Sequence, residues 1–178
     1  MLDAMRTRRS IRRYLPKPIP AETIAQLQEA MLRAPSGRNA QPWRFVFVTD
    51  AALLEALSQA RGLTSEHSRA RASGFLAGAA LGVVVCGEPS VSDTWIEDCS
   101  IAAVTLQYAA TELGLASCWT QMRMREHEDG RPAEGYVREV LGLPDELTVE
   151  CIVGVGYPAE EKPAKDRDAL SWDKAEER

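Results

Sequence analysis

Histidine is nearly absent from this chain: His67 and His127 are the only two in 178 residues, and they lie far apart. No Cys/His spacing suggests zinc, so each reads as a surface residue and no metal site is expected. Four cysteines, Cys86, Cys99, Cys118 and Cys151, show no close pairing, and three lie in apolar runs. Reduced, buried thiols of a cytoplasmic protein are the expected state. No Cys/His signature surrounds Cys118, so a buried thiol suits it better than a nucleophile. Aromatic residues make up only 6% and are not interleaved with basic ones, and the net charge is -5, so no nucleic-acid partner is expected. No apolar run reaches the roughly 20 residues that span a bilayer, and the first thirty residues are basic and polar. Neither a membrane partner nor a signal peptide is therefore expected. Internal repeats and linkers are lacking, and Gly154-x-Gly156 fails as a dinucleotide fingerprint because Pro158 blocks the helix that should follow.

What is present is an ordinary globular composition, 45% apolar and 26% charged, long enough to bury a core as one domain over residues 1–178. A short helix is expected over residues 2 to 9, and Pro16, Pro18 and Pro20 then force an extended crossing. Ile24, Leu27 and Met31 share one stripe of a helix from Ala21 to Arg33, which Pro35 stops. Strands are expected at Trp43–Thr49, Leu81–Cys86 and Thr148–Val155, with a short strand or loop over 115–122. Asp50 should cap a helix to Ala60, and Pro132 should open one to Leu141. The longest helix, Trp95 to Leu113, is apolar over much of its circumference and reads as a central buried element ended by Gly114. Residues 62–80 suit either a helix or a mobile lid followed by a turn near Gly78. From about Pro158 the chain reads as an irregular, charged tail. This alternation gives an α+β or α/β domain.

Two stretches carry the chemistry. Arg8-Arg9-Ser10-Ile11-Arg12-Arg13-Tyr14 crowds forked cationic donors and a hydroxyl into seven residues, as a phosphate site requires. Ala34-Pro35-Ser36-Gly37-Arg38-Asn39-Ala40-Gln41-Pro42-Trp43 is a polar turn whose small residues let a backbone approach a ligand. Taken alone, the first also suits an exposed basic arm that binds partners in a salt-sensitive way, and the second an ordinary helix stop before a strand. The Glu128-Asp129 and Glu160-Glu161 pairs read as solvated loop charges.

Joined in order with Gly114-Leu115-Ala116-Ser117-Cys118-Trp119, Gly156-Tyr157-Pro158 and a Lys-x-Arg tail, these stretches resemble the nitroreductase family of FMN-dependent oxidoreductases. The resemblance covers nearly the whole chain. It implies an α+β fold: a three-layer α-β-α sandwich with a mixed, mostly antiparallel sheet and a central buried helix. It implies FMN as cofactor, with Arg8, Arg9 and Ser10 toward the phosphate and ribityl chain and Arg12 beside the pyrimidine edge as an electrostatic stabiliser. Ser117, Cys118 and Trp119 would pass along the isoalloxazine, and Lys165 and Arg167 would return to the phosphate. Pro35, Ser36, Gly37 and Asn39 would reach the flavin from a second subunit, making a homodimer with shared sites. The implied activity is ping-pong transfer of electrons from NADH or NADPH to a nitroaromatic or quinone, with no acid–base side chain required. A flavin-binding sensor or reservoir without turnover is the alternative. The chain is short for the family, and residues 61–80 have no obvious counterpart in its longer members. Where many members carry Pro before the second strand, this chain has Ala80-Leu81-Gly82.

Overall fold

The computed structural model describes residues 1–62 and 73–178. Most of the segment for which a lid was expected, and His67, lie outside the described residues. The basic arm begins with α1 (Leu2–Thr7) and runs extended through the prolines into α2 (Ala21–Leu32). There follow β1 (Trp43–Val48), α3 (Ala51–Ser58), β2 (Leu81–Gly87), α4 (Trp95–Glu112), β3 (Ala116–Gln121), α5 (Ala133–Leu141) and β4 (Thr148–Gly156). The expected turn near Gly78 is a short 3-10 turn, Gly74–Gly78.

The sheet order is β1-β2-β4-β3, and all three strand pairings are antiparallel. Outside the sheet's strands, Ser10 forms an isolated parallel bridge with Ser117. Strands β2 and β4 are Val/Ile-rich and almost wholly buried, because both sheet faces are covered. On one face Val83, Val85, Cys151, Val153 and Val155 pack against Leu27 and Met31 of α2 and Cys99, Ala102, Ala103 and Leu106 of α4. On the other, Val84, Cys86 and Ile152 meet Leu54 and Leu57 of α3 and Ala133 and Val137 of α5. This is the expected α-β-α sandwich. Fully burying each such Leu or Val contributes about 1.5–3 kcal/mol.

The local signals act as their chemistry dictates. The Asp50 carboxylate accepts from the Leu53 N–H (2.9 Å) and starts α3. Gly114 takes φ 71° just after α4, the left-handed conformation that closes a helix and that glycine adopts most cheaply. All four cysteines are free, buried thiols.

Helix α4 organises the molecule. One side packs on the sheet, while Ile101 stays 38% exposed on the other. Its two ends hold the two halves of the signature.

Candidate flavin site

Helix α1 stops at Thr7, and the chain then lies beside the edge strand β3. Ile11 and Tyr14 are buried and anchor this segment. The Ile11 N–H donates to the Ser117 carbonyl (3.2 Å). The Tyr14 hydroxyl lies 2.7 Å from the Ile11 carbonyl and 3.1 Å from that of Gly154. Gly156 must lack a side chain here, since a Cβ would come within 2.9 Å of the Tyr14 ring. Burial pushes the Tyr14 phenol well above its ordinary range, so it remains neutral.

These anchors bring Arg8, Ser10 and Arg12 to the start of β3. Arg8 donates to the Gln107 amide oxygen of α4 (3.1 Å), and Arg9 donates to the Pro163 carbonyl. Burial raises the Cys118 thiol, while the charges of Arg12, Lys162 and Arg8 and a hydrogen bond with Ser10 act to lower it. Ser117 is 1% exposed and its hydroxyl has no partner among the described residues. Trp119 is half-buried, and its indole N–H donates to Gln121 (3.0 Å), which in turn donates to Glu150 (3.3 Å). Glu150 occupies the extra position of a β-bulge opposite Val85 and Cys86. Burial raises its carboxyl pKa, against Gln121 and Arg123, which lower it.

The tail after β4 completes the cluster. Tyr14 bridges to Pro158; the Leu15 N–H donates to the Tyr157 carbonyl (2.8 Å) and the Ala159 N–H to the Arg13 carbonyl (2.9 Å). Lys162 Nζ donates to the Ser10 carbonyl (2.8 Å) and pairs with Glu160 (3.2 Å). Glu160 accepts from the Arg12 N–H (2.7 Å), and this bond, with Lys162 and Arg13, holds its pKa down to about 2. Reading Glu160 as a solvated charge is thus corrected: it ties the basic arm to the tail. Arg8, Arg9 and Lys162 line a cleft of about 260 Å³ floored by Ile11 and Leu115. Glu160 and Glu161 also line it, so the cleft carries both signs of charge.

The expected return of Lys165 and Arg167 to Arg8 is not seen within the chain. Pairing with the arm ends near Lys162, and the chain beyond Pro163 has no packed apolar anchor. Lys165 is exposed, and the Arg167 guanidinium sits 5.4 Å over the Trp172 ring. Lys162 is the tail cation at the cluster.

The second stretch lies at the other end of α4. Pro35 and Asn39 are exposed and Ser36 and Gly37 half-buried. The Gly37 N–H donates to Asp98 Oδ1 (2.8 Å), and the Gln41 N–H to Ser36 Oγ (3.0 Å). Asp98 and Gln107 are nine residues apart, about 14 Å along a helix axis. One chain therefore presents the two halves of the signature at opposite ends of α4.

The donor set suits a phosphate-ended flavin: fixed cations line the cleft, and next to its residue Ala116 come the Ser10–Ser117 bridge and the orphaned, buried Ser117 hydroxyl. Gln107, Lys162 and Asp98 escaped the sequence reading, which took Glu160 only for a solvated charge. A second cavity, about 470 Å³ and lined by Arg123, Arg125, Glu126 and Glu134, gathers none of the residues singled out from the sequence. His127 stacks on Tyr136 (4.4 Å) and pairs with Asp129 (3.0 Å). Among the described residues no helix is long and apolar enough to cross a membrane.

Comparison with known proteins agrees with this fold. The profile described as the nitroreductase family matches residues 5–157. A relative from Archaeoglobus fulgidus, provisionally named NADH dehydrogenase/NAD(P)H nitroreductase, is 34% identical over 94% of this chain and 90% of its own length. One from Thermotoga neapolitana, named iodotyrosine deiodinase, is 29% identical over 96% of this chain and 95% of its own. The solved structure of an FMN-dependent nitroreductase from Clostridium difficile R20291 superposes with a TM-score of 0.91 at 38% identity, covering 99% and 98% of the two chains. With the signature, the sandwich and these likenesses in agreement over nearly its full length, the chain belongs to the nitroreductase family.

Proposed function

We propose that the protein binds FMN without a covalent link and passes electrons from NADH or NADPH to a small conjugated acceptor, a nitroaromatic or a quinone. The observation that carries this reading is the convergence of Arg8, Ser10, Arg12 and Lys162 on Ser117–Trp119. Names among the relatives range from nitroreductase to deiodinase, so the acceptor is assigned by class.

Arg8, Arg9 and Lys162 would hold the phosphate with charge-assisted bonds, and Ser10 and the unpartnered Ser117 hydroxyl would meet the ribityl chain. When bound, the flavin supplies hydride transfer from NAD(P)H and onward reduction of the acceptor. Arg12 would stabilise the negative charge that reduction places on the pyrimidine edge. Trp119, fixed through Gln121 and Glu150, would set one wall of the ring site. Donor and acceptor would use that space in turn, giving ping-pong kinetics.

A second copy completes the site in this reading. Pro35, Ser36, Gly37 and Asn39 stand about 14 Å of helix away from the phosphate cleft of their own chain. They would serve the partner's flavin, and the partly exposed face of α4 would be covered by the same contact. A cytoplasmic setting suits the four free thiols.

Titration with FMN followed by anaerobic NADH or NADPH tests the reading. The protein should take up one flavin per chain, and the nucleotide should bleach it. Failure to take up FMN removes the proposal. NAD(P)H oxidation with menadione no faster than free FMN leaves only a flavin reservoir.

A further inference from the structure

The connection from α2 to β1 is more constrained than joining a helix to a strand requires. Arg38, Asn39 and Gln41 all have positive φ, 53°, 56° and 48°, and none is glycine. A residue with a Cβ adopts that conformation at a cost, and three within four positions persist only where the surroundings over-determine them. Local bonds account for part of this. The Asn39 N–H donates to the Ser36 carbonyl (3.0 Å) and the Ala40 N–H to that of Gly37 (2.9 Å), and the Gln41 amide donates to Asn39 Oδ1 (3.1 Å). They shape the loop but do not fix it to the body of the protein.

The buried tie is Asp98, which is 2% exposed on α4. Its Oδ1 accepts the Gly37 N–H (2.8 Å) and its Oδ2 the Thr94 hydroxyl (3.2 Å). Thr94 is steadied by Ser92, 3.0 Å away. The fit leaves no slack: a Cβ on Gly37 would lie 2.7 Å from Thr94 Oγ1. The other side-chain tie, Arg38 to Asp93, joins two largely exposed side chains and contributes little. The buried carboxylate thus holds the loop while Pro35, Asn39 and Gln41 stay exposed.

We infer that Asp98 is a positioning residue of the flavin site, holding the 36–41 loop through Gly37 in the shape that the partner copy's flavin requires. The inference rests on the proposed FMN reading. It adds a residue that touches neither flavin nor substrate and acts on the site of the other chain.

The test is FMN titration of the full-length protein with Asp98→Ala, Asp98→Asn and Gly37→Ala. Losing a hydrogen bond to a charged group should weaken FMN binding about tenfold to a hundredfold in Asp98→Ala. Asp98→Asn should restore most of it, because the amide oxygen still accepts from Gly37. Gly37→Ala should weaken binding with Asp98 intact, and it serves if Asp98→Ala does not fold. Wild-type affinity in a folded Asp98→Ala or Gly37→Ala protein overturns the inference, as does a loss of melting temperature without a change in affinity. A mixed dimer of one Arg8→Ala chain and one Asp98→Ala chain supplies the sharper readout. If the loop serves the partner, both lesions fall on one site and the other binds FMN with wild-type affinity. Two weakened sites and no tight one would show the loop acting in its own chain and refute the inference. Absence of FMN binding by the wild-type protein would instead sink the flavin reading on which it rests.

Discussion

Arg8→Ala removes the guanidinium that joins the 260 Å³ cleft to α4. Arg8 donates to Gln107 Oε1 at 3.1 Å and lines the cleft with Arg9 and Lys162, so its removal has two separable consequences. For the ligand, losing a charge-assisted bond to a phosphate should cost about 1.5–3 kcal/mol, roughly tenfold to over a hundredfold in Kd. For the protein, the amide oxygen of the buried Gln107 is left without its partner, at about 1–3 kcal/mol of stability. Replacing Gln107 by Leu in the same chain should recover stability without recovering FMN affinity. The assay is titration with FMN and with riboflavin, which shares the ring and lacks the phosphate. The variant should lose affinity for FMN and leave riboflavin nearly unchanged. Equal losses for both ligands would show that Arg8 acts on the ring or on the fold; unchanged FMN affinity would remove it from the site.

Three further outcomes follow from the same cluster and from the bulge. Arg12→Ala should keep fold and some FMN while shifting the flavin midpoint potential downward; an unaltered potential in spectroelectrochemical titration would place Arg12 away from the pyrimidine edge. Glu160 has its pKa held down to about 2 from the usual 4.5, so its contribution to stability is complete above the usual value and is lost as pH falls toward 2. Glu160→Gln should therefore melt earlier at neutral pH and lose less on acidification, and parallel melting curves against pH would contradict the tie between arm and tail. Glu150 has its pKa raised from 4.5 by burial, so the native state holds the proton more tightly and stability falls as pH rises from about 4.5 through the raised value. Glu150→Gln should reduce that fall, and a denaturant midpoint with unchanged pH dependence would refute the assignment.

The fold was largely legible because its signals are local. Alternating or continuous Val/Ile runs marked β2 and β4, the stripe Ile24, Leu27, Met31 marked α2, and Asp50 and Gly114 punctuated helices where expected. The motifs around Arg8, Ser10 and Arg12 and at Ser117–Trp119 were legible in the sequence, and a bridge joins Ser10 to Ser117. Lys162 and Glu160 were not, since charges in an aperiodic tail carry no address until β4 ends beside Tyr14 and the chain folds back on the arm. That return puts Lys162 at the cluster, three residues before Lys165 and five before Arg167. Asp98 looked like an ordinary acid in the first turns of a helix, and its bond to Gly37 exists only in three dimensions. Glu150 did leave a trace: a carboxylate inside Val149–Val155 is out of place in a buried strand, and it sits where the register shifts by one residue.

In the proposed reading two copies of this chain assemble each flavin site, one giving the arm and tail and the other the 34–43 turn. Sedimentation of the FMN-loaded protein, followed at the flavin absorbance, decides it. Flavin should travel with a species of twice the 19.6 kDa chain mass, carrying one flavin per chain. Flavin bound tightly to a single chain, or flavin left unsedimented, would contradict it.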